Sequence, residues 1–206
     1  MSEMTVFLVD DEPAVRAALS FLLRSRGLAV KEFESGSALL TQLDDWGAQV
    51  PPGCFLLDVR MEEMSGLALH EALLARGLRQ PVLFLSGHGD IPMVVEALKK
   101  GAFDFLEKPY SDNTLVDRIE KALSVAGAMQ KNAARDAEVR ARLASLTPRE
   151  KEVMRQVAAG RLNKQIAADL NLAMRTVEVY RARVFAKLEL RSSAELGALL
   201  AQHPEA

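Results

Sequence analysis

A single cysteine in 206 residues rules out an internal disulfide framework, and with it the small oxidised scaffolds of secreted proteins. Long hydrophobic runs are missing as well: nothing approaches the roughly 18 apolar residues of a membrane span. The opening MSEMTVFLVDD has no basic stretch ahead of a hydrophobic one, so no secretory leader is expected and a cytoplasmic protein is. Aromatic residues make up only 5%, with one Trp and two Tyr. The three histidines, His70, His88 and His203, follow no metal-ligand spacing. Cys54 lies inside an apolar run and reads as a small buried filler.

What is present is globular: 49% apolar and 26% charged residues, enough for a core. The net charge of −2 conceals an asymmetry. Residues 1–122 hold 12 Lys and Arg against 19 Asp and Glu, 123–142 hold 4 against 2, and 143–206 hold 10 against 7. An acidic front and a mildly basic back point to two domains with different partners.

The front half alternates between two periodicities. Val6–Val9, Val30–Phe33, Cys54–Leu57, Pro81–Ser86 and Phe103–Leu106 read as short buried strands. Helical patterns separate and follow them near 13–25, 36–45, 65–76, 90–100 and 112–125, which predicts βαβ units on a five-stranded parallel sheet. Residues 121–145 have no Pro and one Gly and are rich in Ala, Arg and Glu, so the fifth helix is expected to run on as a linker. The back half shows helix punctuation only. Thr147-Pro148-Arg149-Glu150 has the form of a capping box with Pro just inside the helix. Gly160 ends that helix, Asn163–Leu170 forms a short one, Thr176–Leu188 a longer one, and Ser192 and Glu195 repeat the cap. This order describes a helix-turn-helix module. The divisions are 1–122, 123–142 as helical linker, and 143–206.

Ligands of an open parallel sheet bind beyond the carboxyl ends of its strands. There stand Asp10 and Asp11 after the first strand, Asp58 after the third, Ser86 after the fourth and Lys108 after the fifth. Three acids so placed repel one another unless a cation lies among them. An all-oxygen set with room for water suits Mg²⁺. A carboxylate can attack phosphorus to give an acyl phosphate, with Lys108 and Ser86 offsetting charge on the transferring oxygens. The alternatives are local: Asp10 as a helix cap, Ser86 as turn chemistry, Lys108 as a surface lysine. His88, two residues past Ser86, is expected to face solvent.

VDDEP, LLDVRMEEMSG, LFLSGHGD and FDFLEKPY, spread over residues 5–110, resemble the signature segments of a response-regulator receiver domain. The resemblance implies a flavodoxin-like, doubly wound sheet of order 2-1-3-4-5 and Asp58 as phosphoacceptor. It further implies Asp11, Asp58 and the backbone carbonyl of Arg60 as Mg²⁺ ligands, Asp10 acting through water, Ser86 and Phe105 as a switch pair, and Lys108 as the pocket's fixed cation. It implies no enzyme beyond self-phosphorylation and dephosphorylation at Asp58. A haloacid-dehalogenase phosphatase would want a second Asp two residues after the nucleophile, where this chain has Arg60. The chain departs from the family at Glu62, where most relatives carry proline.

On the 176–188 helix, steps of 100° gather Val177, Tyr180, Val184 and Leu188 into a core stripe. Val179, Ala182, Arg183 and Ala186 face away, with Arg175, Thr176 and Lys187 beside them, a face able to enter a major groove. Residues 146–196 resemble a LuxR-type helix-turn-helix, with Glu178 as in its FixJ-like branch. The resemblance implies Asn163, Lys164, Thr176, Arg181 and Lys187 as phosphate contacts and Glu178, Val179 and Ala182 at base-reading positions. Together the two resemblances imply a FixJ/NarL-family response regulator. Its partners would be a sensor histidine kinase, double-stranded DNA and, on phosphorylation, a second copy bound through the helix 4–strand 5–helix 5 face, with no membrane.

Overall fold

The structure, a computed structural model, describes residues 4–87 and 91–203; His88 lies outside them. Strands β1 (Thr5–Val9), β2 (Ala29–Phe33), β3 (Gly53–Asp58), β4 (Val82–Ser86) and β5 (Asp104–Glu107) pair in parallel in the order β2-β1-β3-β4-β5. The apolar runs read from the sequence are central strands covered on both faces, as a parallel sheet requires. Alternation along each strand sorts their side chains. Val6, Leu8, Cys54, Leu56, Leu83 and Leu85 pack on one face against Leu19 and Leu23 of α1 (Pro13–Ser25) and Leu115 and Ile119 of α5 (Asp112–Ala144). Phe7, Val9, Phe55, Leu57 and Phe84 pack on the other against α2 (Gly36–Trp46), α3 (Gly66–Ala75) and α4 (Ile91–Lys99), through Leu39, Leu43, Leu69, Leu73 and Ala97. Each fully buried Leu or Phe stabilises the fold by about 1.5–3 kcal/mol. Cys54 is fully buried and burial pushes its thiol up to about 12, so it stays protonated and fills space.

The chain divides into two compact units, Met1–Lys131 and Asn132–Ala206. Helix α5 is continuous over 33 residues and carries the chain from the first to the second. The second unit contains α6 (Pro148–Ala158), α7 (Asn163–Asp169), α8 (Met174–Leu188) and α9 (Ser193–Gln202). Its first helix is opened by the reciprocal box: Glu150 N–H donates to Thr147 Oγ1 at 3.3 Å and Thr147 N–H to Glu150 Oε2 at 2.8 Å. Gly160, at φ +74°, ends α6 in the left-handed region that glycine adopts without steric cost. Val153, Met154, Val157, Ile166, Val177, Val184, Leu188 and Leu196 form its core. Among the described residues no helix is long and apolar enough to cross a membrane.

Candidate functional site

The sheet register collects the acidic rim. Val9 lies beside Leu57, so Asp10 and Asp58 follow side by side. Asp58 lies beside Leu85, and Ser86 beside Glu107, which brings Ser86 and Lys108 to the same edge. Lys108 N–H donates to Ser86 O at 2.8 Å and ties the two strand ends together.

Asp58 is held by both oxygens. Oδ1 pairs with Lys108 Nζ at 2.5 Å and Oδ2 accepts from Arg60 N–H at 2.7 Å. Asp10, only 2% exposed, is not the cap of α1, whose first turn is entered at Glu12. Its Oδ1 accepts from Glu12 N–H at 2.9 Å. Burial drives its pKa up to about 6, opposed by that hydrogen bond and by Lys108 and reinforced by the charges of Asp58 and Asp11. Asp11 Oδ2 accepts from the backbone N–H of Glu62 at 2.8 Å. Phe105 is half-buried beside Phe84 and packs on the aromatic face of the sheet. Tyr110 also borders the site, a residue the sequence reading passed over. Burial raises its pKa to about 12, with Asp10 and Asp58 adding to the shift.

Two buried polar atoms on this rim have no hydrogen-bond partner among the described residues: Asp10 Oδ2 and Ser86 Oγ. Buried groups are rarely left so, because each unmade bond costs about 1–3 kcal/mol. The two are complementary in what they lack. The carboxylate oxygen calls for a cation or its water, the hydroxyl for an acceptor such as a phosphoryl oxygen. The donor set is all oxygen, and it fits a hard divalent ion that keeps several waters. Among the described residues no three acidic, histidine or cysteine side chains converge enough to hold an ion by themselves. The loop after β3 presses close: a Cβ on Gly66 would lie 2.1 Å from Asp58 O, so only glycine fits there. Because Asp10 is a buried acid among acids, Asp10→Asn is expected to raise the melting temperature of Mg²⁺-free protein by about 3–6 °C. Calorimetry at neutral pH with and without Mg²⁺ checks this, the gain shrinking when Mg²⁺ is added.

In the second unit, Val177, Val184 and Leu188 are buried and Tyr180 half-buried against the core. The opposite face of α8 is open: Arg175, Glu178, Val179, Ala182 and Arg183 are exposed, Thr176 is half-buried, and Lys164 on α7 is exposed. Ala173, Arg175, Thr176, Val179, Tyr180 and Arg183 line a groove of about 510 Å³. Met174 and Leu162, 53% and 69% exposed, add apolar surface that sequence periodicity had not marked. Three of the expected phosphate contacts are engaged internally. Arg181 donates to Asn163 Oδ1 at 3.1 Å and Ser193 Oγ at 2.9 Å and lies over the Phe185 ring, pinning α7 and α9 to α8. Lys187 Nζ donates to Glu150 Oε2 at 2.7 Å and Ser145 O at 3.1 Å.

Comparison with known proteins covers nearly the whole chain. Residues 6–120 match the family model of the response regulator receiver domain, and residues 144–200 that of bacterial regulatory proteins of the luxR family. The C4-dicarboxylate transport transcriptional regulatory protein DctR of Rhodobacter capsulatus is 49% identical over 195 residues, 93% of this chain and 96% of that protein. The transcriptional regulatory protein FixJ of Rhizobium meliloti is 42% identical over 196 residues, 95% and 94% of the two chains. Among solved structures, the response regulator StyR superposes with a TM-score of 0.83 at 38% identity, covering 98% of this chain and all of that one. Full-length FixJ from B. japonicum gives 0.59 at 39% identity with both chains fully covered.

Proposed function

The chain belongs to the two-component response regulators that control transcription through a LuxR-type DNA-binding domain, and on that footing we propose that Asp58 receives the phosphoryl group and that its phosphorylation governs DNA binding. The observation that carries this reading is the rim itself: Asp58 paired to Lys108, with Asp10 Oδ2 and Ser86 Oγ unpartnered among the described residues beside it. Asp58 attacks phosphorus, an acyl phosphate P–O bond forms, and the P–N bond to a sensor kinase histidine breaks. Lys108 steadies the charge that builds on the transferring oxygens. Asp11, Asp58 and the carbonyl of Arg60 would hold Mg²⁺, with Asp10 acting through water; the ion, when bound, neutralises part of the phosphoryl charge.

Ser86 then has the acceptor it lacks, and drawing its hydroxyl to the phosphoryl group frees space for Phe105 to turn inward. Phe105 belongs to the α4–β5–α5 face, through which two copies would associate. A 100-fold shift toward the associating state takes only about 2.7 kcal/mol of differential phosphate binding. On DNA, Glu178, Val179 and Ala182 would reach base edges while Lys164, Arg175, Thr176 and Arg183 meet phosphates. Asn163, Arg181 and Lys187 would contribute from the positions they hold against Ser193, Glu150 and one another. A DNA partner supports reading the protein as cytoplasmic.

Incubating the full chain with acetyl phosphate and Mg²⁺ and measuring intact mass and elution volume tests the reading. One added phosphoryl group with a monomer-to-dimer shift is the expected result. No added mass, together with no response to beryllofluoride, would leave Asp58 out of the regulation of this protein.

A further inference from the structure

Glu62 supplies a hydrogen bond to the pocket through its backbone, not its side chain. Its N–H donates to Asp11 Oδ2 at 2.8 Å across 51 residues of sequence, while its own carboxylate side chain is exposed. The direction of that N–H is set by the loop. Met64 N–H returns to Glu62 O at 2.6 Å, Glu63 takes φ +62°, and Gly66 N–H closes on Val59 O at 3.1 Å. A proline at this position would have no N–H to give.

We propose that the Glu62 amide is a latch that holds Asp11 back from Mg²⁺ and so lowers the affinity of this receiver for the ion. The inference rests on reading the acidic rim as a Mg²⁺ site. An oxygen accepting a charge-assisted hydrogen bond is already partly compensated, so Mg²⁺ either competes with the amide for Oδ2 or ligates through Oδ1 by turning the carboxylate that the amide holds in place. With the latch closed, no three acid side chains among the described residues converge to hold an ion. Charge repulsion among Asp10, Asp11 and Asp58 favours the closed latch, since it gives Asp11 a partner other than a cation. The device depends on the main chain, so the side-chain charge of Glu62 is incidental to it.

Two readouts on the full chain test this. In an NMR titration with MgCl₂ and no phosphodonor, the Glu62 amide proton is expected to start downfield and protected from exchange, and to lose both features as the ion saturates. By calorimetry, Glu62→Pro is expected to bind Mg²⁺ about fivefold more tightly than the native chain, one modest hydrogen bond's worth, with Glu62→Gln within twofold of native. If Glu62→Pro does not fold, the amide titration of the native chain still decides. Saturable Mg²⁺ binding with an unmoved Glu62 amide overturns the latch alone, as does tighter binding in Glu62→Gln equal to that of Glu62→Pro. Absence of any saturable binding that Asp11→Asn removes overturns both the latch and the metal assignment beneath it.

Discussion

An Asp58→Ala chain is expected to take up no phosphoryl group from acetyl phosphate, and a Lys108→Ala chain to take it up about 10²-fold more slowly than native. The two effects have different origins. In the proposed transfer Asp58 would supply the oxygen that bonds to phosphorus, and neither neighbouring acid shares its place: Asp10 is nearly fully buried and Asp11 is turned to the Glu62 amide. Lys108 supplies only charge, fixed 2.5 Å from Asp58 Oδ1 and anchored through its backbone to Ser86. Preorganised charge of this kind, already aimed when the reaction begins, stabilises the transition state without solvent reorganisation. Removing it also leaves three acids with one cation fewer, so Lys108→Ala should bind Mg²⁺ more tightly even as transfer slows. Initial rates by intact mass, with Mg²⁺ titrated in parallel, separate the two. Slower uptake with unchanged Mg²⁺ affinity would show that Lys108 acts on the phosphoryl group alone. Equal rates in native and variant would remove it from the chemistry.

The second large effect concerns the DNA-binding unit. Lys187→Met is expected to destabilise it by about 1–2 kcal/mol, solvent at the partly exposed lysine screening some of the pair, and to lower its thermal transition by about 5–10 °C. Glu150, 2% exposed, has Lys187 at 2.7 Å and the Thr147 amide at 2.8 Å. Removing the lysine leaves a buried carboxylate held only by the Thr147 amide, and an uncompensated buried charge is what makes such deletions costly. A Glu150→Leu, Lys187→Met double variant should therefore recover much of the loss, a test of coupling between neighbours. The pH dependence follows from the same contacts. The Lys187 hydrogen bond first, then the Thr147 amide, hold the Glu150 carboxyl below its ordinary pKa. A carboxylate with a depressed folded pKa contributes stability that is fully present above its unfolded value, about 4.3. That contribution is lost as pH falls through the lower, folded value. The native second unit should thus weaken on acidification below about pH 4.5 more steeply than the double variant does. Calorimetry of the full chain as a function of pH reads both.

The resemblance to a LuxR-type module implies Lys187 at a phosphate, and the fold gives the same side chain a partner that no local pattern shows. Its place on the helical wheel, beside the exposed face of α8, is a local property, and the wheel places it correctly. Its partner is not local. Glu150 stands 37 residues earlier, and nothing in either segment says that two helix ends meet. Arg181 repeats the case. The resemblance implies a phosphate contact for it too, and the fold brings Asn163, Ser193 and the Phe185 ring to it as well. The Thr147 cap, by contrast, is complete within four residues, and the structure contains it bond for bond.

The strands, their order of appearance, the acid at the end of Cys54–Leu57 and most helix starts were determined by the sequence alone, α8 beginning at Met174, two residues before the expected Thr176. Each depends on apolar periodicity or on contacts within one helical turn, interactions whose geometry the local backbone sets. The tertiary structure decided which polar atoms found partners. Ser86 Oγ and Asp10 Oδ2 ended without one among the described residues, Lys187 was drawn to Glu150, and a backbone N–H at Glu62 reached Asp11. Hydrogen bonds require a distance near 3 Å and a narrow range of angles. Residues dozens of positions apart meet those limits only once the sheet register and loop paths are in place.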